Sequence, residues 1–326
     1  MKKEERIFLA GHNGLVGNAI YEELLKQKFK NIIIRDKKKL DLLDEKSVDK
    51  FFKKNRPNIV LMCAAKVGGI QSNSSNPYEF LISNLTIQNN LFNACLKYKV
   101  KKVLYLGSSC IYPKFSKIPI KEEYILSGKL EKTNESYAIA KIAGLKAAES
   151  LILKNNMDIR CLMPCNLFGK KEKYFDINNI HVLPALIHKI YEAKINKTPG
   201  VVIWGDGTPL REFMFTEDLA KNIIKIMQLS KKRFFQNIGN YYFYNIGSNF
   251  EISIKNLALK IGKIIGFNGK LYFDKSKPNG TLRKFMSKNK INKVLKLKIS
   301  SIDISLKKTF LYYKQERRKY LSNKNL

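Results

Sequence analysis

Tyr137 and Lys141 stand four residues apart in the run Ser136-Tyr137-Ala138-Ile139-Ala140-Lys141, a spacing that puts both on one face of a helix. A free phenol, with a pKa of about 10, is a poor acid or base at neutral pH. A neighbouring ammonium favours the phenolate and lowers that value, so the pair can give a proton to a developing alkoxide or take one back. A second group of reactive side chains lies in Gly107-Ser108-Ser109-Cys110-Ile111-Tyr112-Pro113, directly after the apolar run Lys102-Val103-Leu104-Tyr105-Leu106. There Ser108 can hydrogen-bond a substrate oxygen beside Tyr137, and Cys110 brings a thiol to the end of a strand. Each residue also has a plainer role. The Tyr–Lys pair is by itself an exposed helix face, Ser108 a turn cap and Cys110 a small buried hydrophobe.

These residues need elements to hold them. Arg6-Ile7-Phe8-Leu9-Ala10 reads as a buried strand, followed by Gly11-His12-Asn13-Gly14-Leu15-Val16-Gly17 and a helix with Ala19, Ile20, Leu24 and Leu25 on its apolar face. Glycines at this spacing allow a tight turn, a close backbone approach and a helix N-terminus aimed at a phosphate. Further strands are expected at residues 31–36, 58–62, 102–106 and 159–163, with helices at 47–54, 77–98 and from Tyr137 to about 153. Strand and helix patterns alternate, which predicts an α/β fold with a doubly wound parallel sheet. Ligands bind beyond the carboxyl ends of such strands, where Ser108 and Cys110 fall. After Pro164-Cys165-Asn166-Leu167-Phe168-Gly169 the alternation loosens. Residues 242–247 return as a strand able to rejoin the sheet, so a second lobe is interleaved with the first.

Composition narrows the class. The 326 residues include 44% hydrophobic ones, enough for a real core. No run approaches the ~18 apolar residues of a membrane span, and the charged start before Ile7 is wrongly flanked for a signal peptide. Five scattered cysteines without C-x-x-C spacing fit a reduced cytoplasmic protein and predict neither a disulfide framework nor a metal site. The formal charge of +34 points to nucleic acid or a membrane surface on one reading. Lysine, asparagine and isoleucine are abundant throughout, however, and only residues 307–324 form a basic cluster. The charge therefore reads as compositional, with a modest attraction for an anionic small substrate and no nucleic-acid or membrane partner.

Together, the glycine turn, the strand-end serine, Y-x-x-x-K and P-x-N-x-x-G resemble the extended short-chain dehydrogenase/reductase family. The stretches AGHNGLVG, AAKVGGI, LGSSCIYPK, YAIAKIAG, MPCNLFG, HVLPAL, VVIWGDGTPLREF and SKPNGTLRK carry the resemblance across residues 10–284. They are similar to the branch that epimerises C3 and C5 of GDP-4-keto-6-deoxymannose and then reduces C4 with NADPH. The resemblance implies a Rossmann-type dinucleotide domain over residues 1–169, joined by about 213–248. A substrate lobe over 170–212 and 249–315 and a basic tail at 316–326 complete the chain, which is expected to be a cytoplasmic homodimer packed through helices such as 77–98 and 136–153. It assigns Ser108, Tyr137 and Lys141 to reduction, and Cys110 and His181 to proton transfer at C3 and C5. A thiolate suits the base role, with a free pKa of about 8.5 that nearby positive charge lowers, and an imidazole near 6.5 suits the acid. The cofactor is expected on Gly11, His12, Asn13, Gly14, Leu15, Val16 and Gly17, on Arg35 and Lys37, and on Leu106, Gly107, Ser108 and Ser109. Pro164, Cys165, Asn166, Leu167, Lys141 and His181 complete that set. Lys189, Trp204, Arg211 and Asn279 fall on substrate positions, whereas His188 is left structural.

Two positions depart from the family pattern. Asn13 replaces an arginine that helps hold the adenosine 2′-phosphate, and Asp36 favours the unphosphorylated ribose of NAD. Arg35, Lys37, Lys38 and Lys39 offer partners to a phosphate, so NADP is the expectation and NAD the alternative. Asn279 replaces an aspartate and loses a charge, which leaves a related GDP-4-keto sugar such as a heptose as the alternative substrate. A non-catalytic nucleotide- or RNA-binding protein on the same scaffold is the rival from another class, supported only by the charge.

Overall fold

All four residues of the first strand (β1, Ile7–Ala10) are buried, so the strand is covered on both faces, the mark of a parallel sheet held between helix layers. The computed structural model of the chain describes residues 1–176, 180–277 and 281–324. From β1 the chain runs through α1 (Leu15–Lys26), β2 (Ile32–Ile33), α2 (Glu45–Asn55), β3 (Ile59–Met62), α3 (Ile70–Ser75), α4 (Pro77–Lys97), β4 (Lys102–Leu106), α5 (Glu135–Asn155) and β5 (Ile159–Pro164). Asp44 opens α2 by accepting a hydrogen bond from Lys46 N, and Pro77 stands at the first turn of α4, where its missing N–H has no partner to lose.

The second half contains β6 (Asn166–Phe168), α6 (Val182–Ile195), β7 (Gly200–Trp204), β8 (Leu210–Phe215), α7 (Thr216–Gln228), α8 (Lys231–Phe235) and β9 (Phe243–Ile246). It ends with β10 (Glu251–Ser253), α9 (Ile254–Ile265), β11 (Lys270–Asp274), β12 (Arg283–Lys284), α10 (Asn289–Val294) and α11 (Ile302–Lys324). The main sheet is wholly parallel, in the order β2-β1-β3-β4-β5-β9, and the fold is a Rossmann-like α/β architecture. Its order reverses between β1 and β3, which opens a crevice at the carboxyl ends. β8 binds β6, β10 and β12, and β7 pairs with β11.

Two cores correspond to these two groups of strands. One holds the main sheet with α1, α2, α4, α5 and α7; the other gathers Leu186 and Ile190 of α6, Leu257 and Ile261 of α9, and Leu306 and Tyr313 of α11. Arg160 is fully buried in β5. Its guanidinium grips both oxygens of Asp158, at 2.9 and 3.0 Å, and donates to the Ile226 and Leu229 carbonyls where α7 ends. This satisfied pair fixes the helix to the sheet, and removing either partner would leave a buried charge alone.

One expectation changes. The strand expected at 31–36 is only two residues long, because β2 lies at the sheet edge and meets β1 through Ile7 and Phe8 alone. The following residues leave the sheet, and that departure carries Asp36 towards the glycine turn. Of the basic tail expected at 316–326, the described residues 316–324 form the last turns of α11. Arg317 in this stretch pairs with Glu192 of α6 through Nε and Nη2, at 2.6 and 3.0 Å. Among the described residues no helix is long and apolar enough to cross a membrane.

Candidate active site

The turn after β1 is built to bring backbone close to a ligand. Gly11 has φ +88°, and a Cβ there would stand 2.6 Å from Ala64 N. A Cβ at Gly17 would stand 2.0 Å from the Gly11 carbonyl oxygen, so only glycine lets α1 start so near the strand. Gly14 differs, because its added Cβ meets nothing nearer than the Gly11 oxygen at 3.4 Å. Gly14 is also the N-cap of α1, and no side chain caps that helix. The first-turn N–H groups are therefore free to meet an anion, and residues 11–17 fit the diphosphate of a dinucleotide. Beside them His12 is buried, with Nδ1 unpartnered and Nε2 3.3 Å from Asp36 Oδ1.

Beyond β4 the predicted reactive residues converge. Ser108 caps a short 3-10 turn (Ser109–Ile111), its hydroxyl accepting from Cys110 N at 3.4 Å. From α5, Lys141 donates through Nζ to the Leu106 carbonyl at 2.9 Å and stands 5.7 Å from the centre of the Tyr137 ring. The Lys141 carbonyl lies 3.0 Å from the Tyr105 hydroxyl, which is 3.1 Å from Gln88 Oε1. Gln88 Nε2 donates to the Ala140 carbonyl at 2.9 Å, so α4 and β4 together clamp the helical turn between Tyr137 and Lys141. A Cβ at Gly144 would come within 2.3 Å of both Gln88 Oε1 and the Tyr105 hydroxyl. Gln88, Tyr105 and Gly144 were not foreseen as parts of the site. Their signal was Gly144 itself, two helical turns beyond Tyr137 and on the same face, in an otherwise good helix former.

Burial, rather than the ammonium, decides the resting charge of this cluster. Desolvation pushes the Tyr137 hydroxyl well above the ordinary phenol value, with the Cys110 thiol adding to the rise. The expected lowering by Lys141 does not prevail. Lys141 is itself pulled down to about 8 by burial. Cys110 is 5% exposed, and burial raises its thiol against the opposing charges of Lys284 and Lys141 and the hydrogen bond from Ser108. The resting site thus holds a neutral phenol and a neutral thiol, both still carrying protons. Lys284, on β12, was missed as an individual residue although it ends the quoted SKPNGTLRK stretch. Its register opposite Arg211 on β8 places two cations on the Cys110 side of the crevice, and burial lowers both.

His181 is the N-cap residue of α6, and among the described residues no hydrogen bond joins it to Ser108, Cys110, Tyr137 or Lys141. Its ring is held below the ordinary imidazole value, first by desolvation and then by Lys173. At the end of β5, Cys165 N donates to the Ile246 carbonyl at 3.0 Å, and Asn166 Nδ2 donates to the Glu212 carbonyl at 3.2 Å. Pro164 and Leu167 flank that crossing between the two groups of strands. Trp204 is 61% exposed, which excludes a core role, and the ammonium groups of Lys189 and Lys277 stand 5.6 and 5.8 Å from its ring. An exposed indole with two cations nearby suits a planar, anionic ligand. His188 bonds Tyr313 through Nδ1 at 3.0 Å, a structural contact. Asn279 lies outside the described residues.

Residues 7–247 match the NAD dependent epimerase/dehydratase family. The chain is 42% identical to a putative GDP-L-fucose synthase 2 of Arabidopsis thaliana, covering 96% of this chain and 93% of that protein. It is 38% identical to the GDP-L-fucose synthase of Escherichia coli K12, covering 97% and 99%. Among solved structures it resembles a GDP-mannoheptose C4 reductase from Campylobacter jejuni with NADP bound, at a TM-score of 0.87 and 33% identity, covering 96% and 99%.

Proposed function

The chain belongs to the NAD dependent epimerase/dehydratase family, and we propose that within it this protein is a GDP-L-fucose synthase. It epimerises C3 and C5 of GDP-4-keto-6-deoxymannose and then reduces the C4 ketone with NADPH. The observation that carries this reading is the placement of Cys110 inside the Ser108–Tyr137–Lys141 cluster. A ketoreductase needs only the last three. A buried thiol among them supplies a proton acceptor next to the carbon that flanks the ketone.

The C4 carbonyl acidifies the neighbouring C–H bonds, and each epimerisation passes through an enolate of the sugar. On substrate binding the Cys110 proton passes through solvent to His181, leaving an imidazolium and a thiolate that Lys284 and Lys141 stabilise, and the thiolate accepts the proton from carbon. His181 returns a proton to the opposite face from the rim. When bound, the nicotinamide supplies the hydride to C4. Tyr137 enters that step as a neutral phenol and gives its proton to the oxygen, which Ser108 holds by a hydrogen bond. Lys141 compensates the phenolate left behind and holds the nicotinamide ribose. Gly11, Gly14 and Gly17 seat the diphosphate of the cofactor, Trp204 takes the guanine face, and Lys189 and Arg211 take the substrate's phosphates.

Residues 1–169 with about 213–248 form the cofactor domain in this reading, and 170–212 with 249–315 the substrate lobe. A cytoplasmic homodimer accords with five free cysteines and with the exposed Tyr78, Ile82 and Leu96 of α4 and Ile139 and Leu153 of α5. The test is incubation with GDP-4-keto-6-deoxymannose and NADPH, with the product's configuration at C3, C4 and C5 determined by NMR. Oxidation of NADPH with retained configuration at C3 and C5 would overturn the epimerase half. The second reading, a reductase of a GDP-4-keto-heptose, draws on the likeness to the Campylobacter jejuni protein. Turnover of such a heptose at least tenfold faster would favour it.

A further inference from the structure

We propose that Asp36 selects the adenosine-ribose end of the dinucleotide, and that this site binds NADH about as well as NADPH. The proposal rests on the dinucleotide reading above and deepens it. Asp36 follows the shortened edge strand β2, where the chain leaves the sheet beside the glycine turn. Two side chains of that turn hold its carboxylate. Asn13 donates through Nδ2 to Oδ1 at 2.6 Å, and His12 Nε2 lies 3.3 Å from the same oxygen. Both contacts fall on Oδ1, and the Asp36 side chain remains 58% exposed. Oδ2 is left to accept a hydrogen bond from a ribose hydroxyl. An acidic residue at this place in a Rossmann unit meets the ribose 2′-hydroxyl of the unphosphorylated cofactor.

The nearest cation does not oppose this. Arg35 turns its Nη1 back to the Ile34 carbonyl at 2.7 Å and places its guanidinium 5.9 Å from the centre of the Phe51 ring, over α2. A 2′-phosphate arriving beside Asp36 meets a like charge, and the fixed carboxylate cannot swing away without losing Asn13 and His12. Binding of the phosphorylated form then relies on the exposed lysines that follow, Lys37, Lys38 and Lys39. Those side chains are long, solvated and unanchored, so their help is partial. A carboxylate that favours the hydroxyl and lysines that favour the phosphate leave the two cofactors close in affinity.

The experiment is a fluorescence titration of NADH and NADPH, without sugar substrate, against the intact protein and its Asp36→Ala and Asp36→Asn variants. The two dissociation constants of the unaltered protein are expected within about tenfold of one another. Asp36→Ala is expected to weaken NADH by about tenfold, the loss of one hydrogen bond to a charged acceptor, and to leave NADPH equal or tighter. Asp36→Asn retains the shape and an acceptor but removes the charge, and is expected to tighten NADPH. A more than tenfold preference of the unaltered protein for NADPH, or equal weakening of both cofactors by Asp36→Ala, would overturn the proposal. Binding of neither cofactor would overturn the dinucleotide reading itself, a separate failure.

Discussion

The ammonium of Lys141 is anchored 2.9 Å from the carbonyl of Leu106, the last residue of β4. That bond joins α5 to the strand whose end carries Ser108 and Cys110. It also sets the height of Tyr137 along α5, four residues earlier. Predictions for the proposed roles follow from how this joint is built.

Tyr137→Phe keeps the ring contact with Phe80, 6.5 Å between centres, and removes only the hydroxyl. NADPH oxidation is expected to fall by about 10²-fold or more, while the cofactor dissociation constant stays within a factor of three. Stopped-flow absorbance and a binding titration measure the two. Retained turnover would remove Tyr137 from the reaction.

Cys110→Ser is expected to abolish most hydrogen–deuterium exchange at C3 and C5 of the keto sugar with little change in folding, because the replacement is nearly isosteric. NMR of the sugar in heavy water reads the exchange directly. Lys284→Met should slow the same exchange by about tenfold through loss of the cation facing the thiol. Exchange at the normal rate in Cys110→Ser would place the base elsewhere.

Gly144→Ala forces a methyl group against Gln88 Oε1 and the Tyr105 hydroxyl, each 2.3 Å from the new Cβ. A cost of about 1–3 kcal/mol in unfolding free energy is expected from the overpacking. Turnover should fall as well, because the displaced pair is what holds the turn between Tyr137 and Lys141. Denaturant melts and steady-state rates check both. A variant of unchanged stability would show that the clamp yields freely.

Lys141 gives a pH signature whose sign is fixed. Its folded value of about 8 lies below the ordinary 10.5, so the unfolded chain binds more protons between those limits. Burying the charge therefore costs stability fully below about pH 8, and the cost fades as pH rises towards 10.5. The unfolding free energy of the natural protein minus that of Lys141→Met is expected to rise across that window. A flat difference would mean that Lys141 is not desolvated.

Trp204 is the sole tryptophan and is exposed, so intrinsic emission reports on one place. Addition of GDP is expected to quench it. Trp204→Ala should weaken GDP by about tenfold, the loss of one stacked base. Emission indifferent to GDP would move the guanine elsewhere.

Much of this protein was legible in its residues taken one after another. Apolar runs such as Ile7–Ala10 and Ile59–Met62, alternating with helical segments, imposed a parallel sheet, because strands buried on both faces admit no polar alternation. The four-residue spacing of Tyr137 and Lys141 and the strand-end position of Ser108 and Cys110 are local facts, and short-range geometry made them neighbours. Charge state was not local. The phenol and thiol are held neutral because α4, β4 and β12 close over them, and desolvation there outweighs the nearby ammonium. Nor could the spacing disclose Gln88 and Lys284, which reach the site from 52 residues before Ala140 and from β12, far along the chain. The hydrogen bond between Asn13 and Asp36 is of the same kind. It exists because β2 ends after two residues at a sheet edge, and only tertiary packing determines where an edge strand stops.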